Sequence, residues 1–119
     1  MITFYGIPNC DTVKRARTWL AARGVEPQFH DFKRQGLDAT TLDRWLSALG
    51  RDRLVNRQGL TWRRMDDAQK AQAATDDGAR ALLAANLSLI KRPVVEWGNG
   101  QLSVGFDEAA WTSHLDNGR

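Results

Sequence analysis

Within residues 2–14 a short apolar run, a turn of Gly, Pro and Asn, and a helix-forming segment follow one another, and the chain's one cysteine stands at the junction. In Ile2-Thr3-Phe4-Tyr5-Gly6-Ile7-Pro8-Asn9-Cys10-Asp11-Thr12-Val13-Lys14 the apolar run reads as a strand, the turn residues end it, and Cys10 falls at the helix's first residue. The helix is expected over residues 11–23, because Val13, Ala16, Trp19 and Leu20 recur on one face and Gly24 suits a left-handed stop. Pro27 prevents continuation, and residues 27–32 alternate weakly as a second strand. A helix between two strands makes them parallel partners in a right-handed β-α-β unit. Cys10 then lies at the carboxyl edge of the first strand, where open α/β sheets place their ligands.

A helix start is also where a thiolate is best stabilised. Unpaired N–H groups and the positive end of the helix dipole favour a negative charge there, and such a setting lowers a cysteine pKa below its free value of about 8.5. Cys10 is therefore a candidate nucleophile. The competing reading is an inert, buried small hydrophobe. Polar neighbours Asn9, Asp11 and Thr12 argue against an apolar pocket, and Lys14 and Arg15 lie one helical turn away with positive charge. Asp11 acts in the opposite direction, since a carboxylate disfavours a thiolate.

After residue 33 the pattern turns helical. Leu42, Trp45, Leu46 and Leu49 define an amphipathic helix with Asp38 or Thr40 as cap and Gly50 as stop. Residues 51–64 read as a loop, and residues 66–74 and 76–86 as two short helices, the second with Ala79, Leu82 and Leu83 on one side. Strand character returns in Val94-Val95-Glu96-Trp97 and Leu102-Ser103-Val104, which flank the hairpin signal Gly98-Asn99-Gly100 and should pair antiparallel. Asp107 caps a last helix containing Ala110, Trp111 and Leu115, with residues 116–119 as a frayed tail. The order β-α-β, helical insertion, β-β-α is that of an α/β, thioredoxin-like fold with a mixed sheet. A single domain of 119 residues is expected, with a core of 1–33 and 88–119 and an insertion of 34–87.

Composition narrows the function classes. An apolar share of 42% and a charged share of 26% belong to a globular chain rather than a disordered one. No apolar stretch approaches the roughly 20 residues of a membrane span, and the N-terminus lacks a secretory signal, so a cytoplasmic protein is expected. One cysteine forms no internal disulfide, and His30 and His114 are too far apart in sequence to suggest a metal cluster. A net charge of +3 and five tryptophans raise nucleic-acid binding, but Asp52, Asp66 and Asp67 interrupt the cluster of Arg51, Arg53, Arg57, Arg63 and Arg64. Trp19, Trp45 and Trp111 also fall where helical spacing buries them, so neither nucleic acid nor membrane is expected as a partner.

Three blocks, Tyr5 through Arg17, Leu60-Thr61-Trp62-Arg63-Arg64 and Ile90-Lys91-Arg92-Pro93-Val94-Val95, resemble the arsenate reductase/Spx-like (ArsC/Spx) family, in order and over nearly the whole chain. The resemblance is nearest to the family's YffB branch, described as glutathione-dependent thiol reductases. It implies that Cys10 is the nucleophile and that Arg92 is its partner arginine, preceding a proline, Pro93, that thioredoxin-like proteins hold in cis. Arg92 would supply a charge and a fork for a carboxylate or oxyanion; on residues alone, a solvated loop residue at Arg92 and a strand-start proline at Pro93 is the stronger reading. Departures from the arsenate reductase pattern also matter. Those enzymes bring three arginines to the oxyanion, whereas here the middle position aligns with Asn56, beside Arg57, and the last with Gly105. Each missing charge-assisted hydrogen bond is worth roughly 1.5–3 kcal/mol, so efficient arsenate reduction is not expected. The regulators' Cys-x-x-Cys switch is excluded by Val13.

The resulting expectation is a monomeric one-cysteine thiol–disulfide oxidoreductase with no permanently bound cofactor and glutathione as co-substrate. Cys10 and Arg92 would be catalytic; Asn9, Asp11, Thr12, Lys14, Arg57 and Pro93 would bind glutathione or the substrate. The alternative is a protein-binding module of the Spx type, with RNA polymerase or a similar partner and a vestigial Cys10.

Overall fold

The computed structural model describes residues 1–117. In chain order the elements are β1 (Thr3–Gly6), α1 (Asp11–Ala22), β2 (Gln28–Asp31), α2 (Phe32–Gln35), α3 (Ala39–Leu49), α4 (Arg51–Leu54), α5 (Leu60–Arg63), α6 (Asp67–Gln72), α7 (Asp76–Ala85), a 3₁₀ turn (Leu87–Leu89), β3 (Val94–Glu96), β4 (Leu102–Val104) and α8 (Glu108–Asn117). They form two compact units. One comprises Met1–Gln35 together with the segment from Arg92 onward, and the other is Gly36–Lys91.

The first unit is built on a four-stranded sheet of order β2-β1-β3-β4. β1 runs parallel to β2, with Phe4 opposite Phe29, and antiparallel to β3, with Phe4 opposite Val95. β3 and β4 form the expected antiparallel hairpin, whose glycines Gly98 and Gly100 take φ of 87° and 83°. This is the mixed sheet of a thioredoxin-like fold. Burial follows the helical spacing: Val13, Ala16, Trp19 and Leu20 are the buried face of α1 and pack with Phe4, Val95, Trp97 and Trp111. Trp111 stands edge-on to Phe4, Trp19, Trp97 and Phe106, at ring-centroid distances of 6.2, 5.9, 5.1 and 4.7 Å. Such pairs add roughly 0.5–1.5 kcal/mol each beyond the area they bury. The buried Trp97 indole N–H donates to Ser103 Oγ at 3.0 Å.

In the second unit α3 buries Leu42, Trp45 and Leu49, and α7 buries Ala79, Leu82 and Leu83. Arg80 on α7 pairs with Asp43 on α3, and Arg51 meets Asp76 at 2.6 Å. Asp66 and Gln69 form a reciprocal capping box at the start of α6, and Thr75 Oγ1 accepts from the Gly78 amide at the start of α7. An isolated antiparallel bridge, Val55 to Ile90, ties the unit's middle to its end.

Gly78 occupies a position that a side chain cannot share. A Cβ there would stand 2.1 Å from the Gln72 carbonyl oxygen and 2.9 Å from Thr75 Oγ1. Glycine to alanine inside a helix ordinarily gains about 1 kcal/mol. Here Gly78→Ala is expected to destabilise the protein by about 1–3 kcal/mol, because the α6–α7 turn must move. Urea unfolding measures this, and a raised midpoint would contradict the packing described.

Several boundaries differ from the sequence expectation. The stretch 51–64 is not a plain loop: it contains α4 and α5, each of four residues and too short to show a repeat. Phe32 leaves β2 to begin α2, where its ring is fully buried. Trp97 lies just beyond β3, and α8 continues through Asp116 and Asn117, which were expected to fray. The rest of that tail, residues 118 and 119, lies outside the described residues. Trp19, Trp45 and Trp111 are buried as the spacing implied. No helix among the described residues is long and apolar enough to cross a membrane.

Candidate active site

Cys10 is the cap of α1 rather than its first helical residue. Its backbone is extended, at φ −112° and ψ 124°, and its carbonyl accepts from the Lys14 amide at 3.0 Å. The strand–turn–helix sequence dictates this, since the chain must leave the extended β1 geometry and enter α1 within the few residues after Gly6. The side chain is half-buried and makes no capping hydrogen bond, but the amides at the start of the helix favour its ionised form. The amides of Thr12 and Val13 are the second and third of α1, the two that a cap side chain normally satisfies.

Arg92 reaches the same sulfur from the far end of the sequence. The antiparallel register of β1 and β3 sets Val94 opposite Tyr5, so the residues just ahead of β3 lie beyond the carboxyl end of β1, on the Cys10 side. The Arg92–Pro93 bond is cis, and the Pro93 carbonyl accepts from the Gly105 amide at 2.9 Å. Burial, the largest single influence, pushes the Cys10 thiol up. The Val13 amide, the hydrogen bond and charge of Arg92, and the Thr12 amide act against it and together hold the pKa below its ordinary value. A thiolate so stabilised is the chemically competent form for nucleophilic attack.

Of the residues singled out in the sequence, Cys10, Thr12, Arg92 and Pro93 thus come together. Asn9 and Asp11 are exposed beside the thiol, and Lys14 is exposed one turn along. Neither Asp11 nor Lys14 is among the influences on the sulfur, so the cation that acts on it is Arg92 rather than Lys14. Arg57 belongs to the second unit, where its guanidinium lies 3.4 Å from Asp52 and 5.4 Å from the centre of the Trp62 ring. Asn56 there accepts from the Gln58 amide at 3.1 Å. Gly105 takes φ of 83°, a conformation that disfavours an arginine at that position. Sequence reasoning assigned Val13 to the core alone and missed its amide as a partner of the sulfur. The signal was present, because the third amide of a helix faces its cap whatever the side chain.

The fold and this constellation define a thioredoxin-like protein with a single thiol at the start of its first helix. Residues 5–114 match the ArsC family, and the chain belongs to that family. The solved structure of the YFFB protein is 43% identical, with a TM-score of 0.90 over 97% of this chain and 99% of that one. An arsenate reductase (ArsC) related protein from Brucella melitensis is also 43% identical, with a TM-score of 0.76 over 96% of this chain and 93% of that one. A curated relative of different name, the global transcriptional regulator Spx of Streptococcus pyogenes, is 26% identical over 91% of this chain and 80% of its own length.

Proposed function

We propose that the protein is a glutathione-dependent thiol–disulfide oxidoreductase that works through Cys10 alone. The observation that carries the proposal is the placement of the half-buried Cys10 sulfur beside the Thr12 and Val13 amides and Arg92, which favour its ionised form. In the first step the Cys10 thiolate attacks the glutathione sulfur of a mixed disulfide. A Cys10–glutathione disulfide forms, the substrate's S–S bond breaks, and the substrate leaves as a thiolate that takes a proton from water. In the second step a glutathione thiolate attacks the glutathione sulfur held on Cys10. Oxidised glutathione departs and the Cys10 thiolate is restored. Overall one substrate mixed disulfide and one glutathione give the free substrate thiol and oxidised glutathione. Arg92 steadies the charge on sulfur in both steps; Asn9, Asp11, Thr12, Lys14, Arg57 and Pro93 are the candidate contacts to the tripeptide. The protein would act as a cytoplasmic monomer with no resident cofactor.

Incubation with oxidised glutathione at neutral pH should add one glutathionyl group to the intact chain by mass spectrometry, and Cys10→Ser should accept none. With a glutathionylated peptide and reduced glutathione, turnover should follow. If a small alkylating reagent modifies Cys10 readily while no glutathionyl adduct forms, the glutathione assignment is wrong.

The similarity to Spx supports a second reading, a non-catalytic module that binds RNA polymerase or a comparable protein. Recovery of polymerase subunits from cell extract, undiminished by Cys10→Ser, would favour it. Arsenate reduction is a poorer third. Two of the three positions that arsenate reductases fill with arginine hold Asn56 and Gly105, which offer no cation to an oxyanion.

A further inference from the structure

A recess lies in the same unit as the thiol but apart from it. Between the outer side of α1 and the edge strand β2 is an open groove of about 410 Å³, lined chiefly by Arg17, Ala21, Val25, Glu26, Pro27 and Phe29. Arg17 is seven residues beyond Cys10, about 10 Å along the helix axis. The groove's volume is that of a small-molecule site, and its lining combines an apolar floor with one charge of each sign.

The arginine is already positioned. Its guanidinium carbon sits 4.3 Å from the centre of the Phe29 ring. The ring face attracts the guanidinium and restrains the long side chain, while its N–H donors can still serve a carboxylate. Among the described residues neither Arg17 nor Glu26 takes part in an ion pair. Thr18, the groove's remaining polar side chain, gives its hydroxyl to the Lys14 carbonyl at 3.0 Å. A simple anion would meet the Glu26 carboxylate and a simple cation would meet Arg17. A molecule carrying both charges satisfies both.

An added peptide strand is a poorer occupant of this edge. Pro27 has no N–H to offer, and the Asp31 amide, which would otherwise face outward, is taken by Gln35 Oε1 at 2.9 Å. We infer that the groove is a binding site for a small zwitterion with an apolar body, such as a free amino acid with a large hydrophobic side chain. Its carboxylate would lie on Arg17, its ammonium on Glu26, and its side chain against Val25, Pro27 and Phe29.

The test is a titration of the isotopically labelled protein with L-phenylalanine, followed by amide NMR. Saturable shifts in the millimolar range are expected at Ala21, Val25 and Phe29, with none at Cys10. 3-Phenylpropionate, which lacks the ammonium, and phenethylamine, which lacks the carboxylate, should each bind at least about tenfold more weakly. Arg17→Gln and Glu26→Gln should weaken L-phenylalanine by a similar factor. Both side chains are exposed, so the fold should persist, and the two singly charged analogues test the unaltered protein in any case. No saturable shift, equal binding of either analogue, or shifts centred on Cys10 would overturn the inference.

Discussion

Trp111→Ala is expected to destabilise the protein by about 3–5 kcal/mol, the range for emptying an aromatic site in a core that does not collapse to fill it. Trp111 is 1% exposed and is the one ring that touches Phe4, Trp19, Trp97 and Phe106 together. Removing it takes an edge-on partner from four aromatic residues at once. Total stabilities of such domains are about 5–15 kcal/mol, so this one change removes a large share of the whole. Urea unfolding followed by far-ultraviolet circular dichroism gives the measurement. Trp111→Phe supplies the control, since it keeps a ring in the site and surrenders an indole N–H that has no hydrogen-bond partner among the described residues. It should cost well under half as much. Equal losses for Ala and Phe would show that the indole itself, rather than ring packing, holds the cluster.

Arg92→Ala should slow the reaction of Cys10 with iodoacetamide at neutral pH by roughly tenfold. A hydrogen bond to a charged group contributes about 1.5–3 kcal/mol, and the low end applies because the sulfur is half exposed. The sign follows from the direction of the shift. Arg92 favours the ionised form, so its removal raises the thiol's pKa and moves the pH–rate curve to higher pH. Well above the variant's own pKa both proteins are ionised and the difference should vanish. Arg92→Lys, which keeps the charge without the fork, should fall between them. A pH–rate curve left unmoved by Arg92→Ala would remove the arginine from the mechanism.

What the sequence disclosed depended on how far each element's signal extends. α1 and α3 are long enough to repeat their apolar positions, so Val13, Ala16, Trp19, Leu20, Leu42, Trp45 and Leu49 are legible as core from the sequence alone, while Leu46, read on the same face, is only half-buried. The Gly98-Asn99-Gly100 turn declared its hairpin for a different reason, because two of its residues need positive φ. α2, α4 and α5 have four residues each, about one turn, and one turn has no period to detect. Their conformation depends on what surrounds them, as the buried Phe32 illustrates.

The site divided along similar lines. Cys10 was legible because its signal is local, a turn followed by a helix. Its pairing with Arg92 was not, since no spacing rule connects residues so distant in sequence; that expectation came from resemblance, and the β1–β3 register supplies its geometry. The choice between Lys14 and Arg92 as the cation was likewise beyond sequence reading. A residue one turn ahead on an exposed helix face looks closer on paper than one brought back by a strand pairing.

The solitary thiol also decides how the oxidised fraction depends on concentration. A chain that closes an internal disulfide releases two small thiols for each small disulfide consumed, so its oxidised fraction shifts with the absolute concentration of the pool. This chain has only Cys10, so any disulfide it forms joins two molecules. Each exchange then consumes one small disulfide and releases one small thiol, so the occupied fraction follows their ratio, and diluting the pool at a fixed ratio should leave it unchanged.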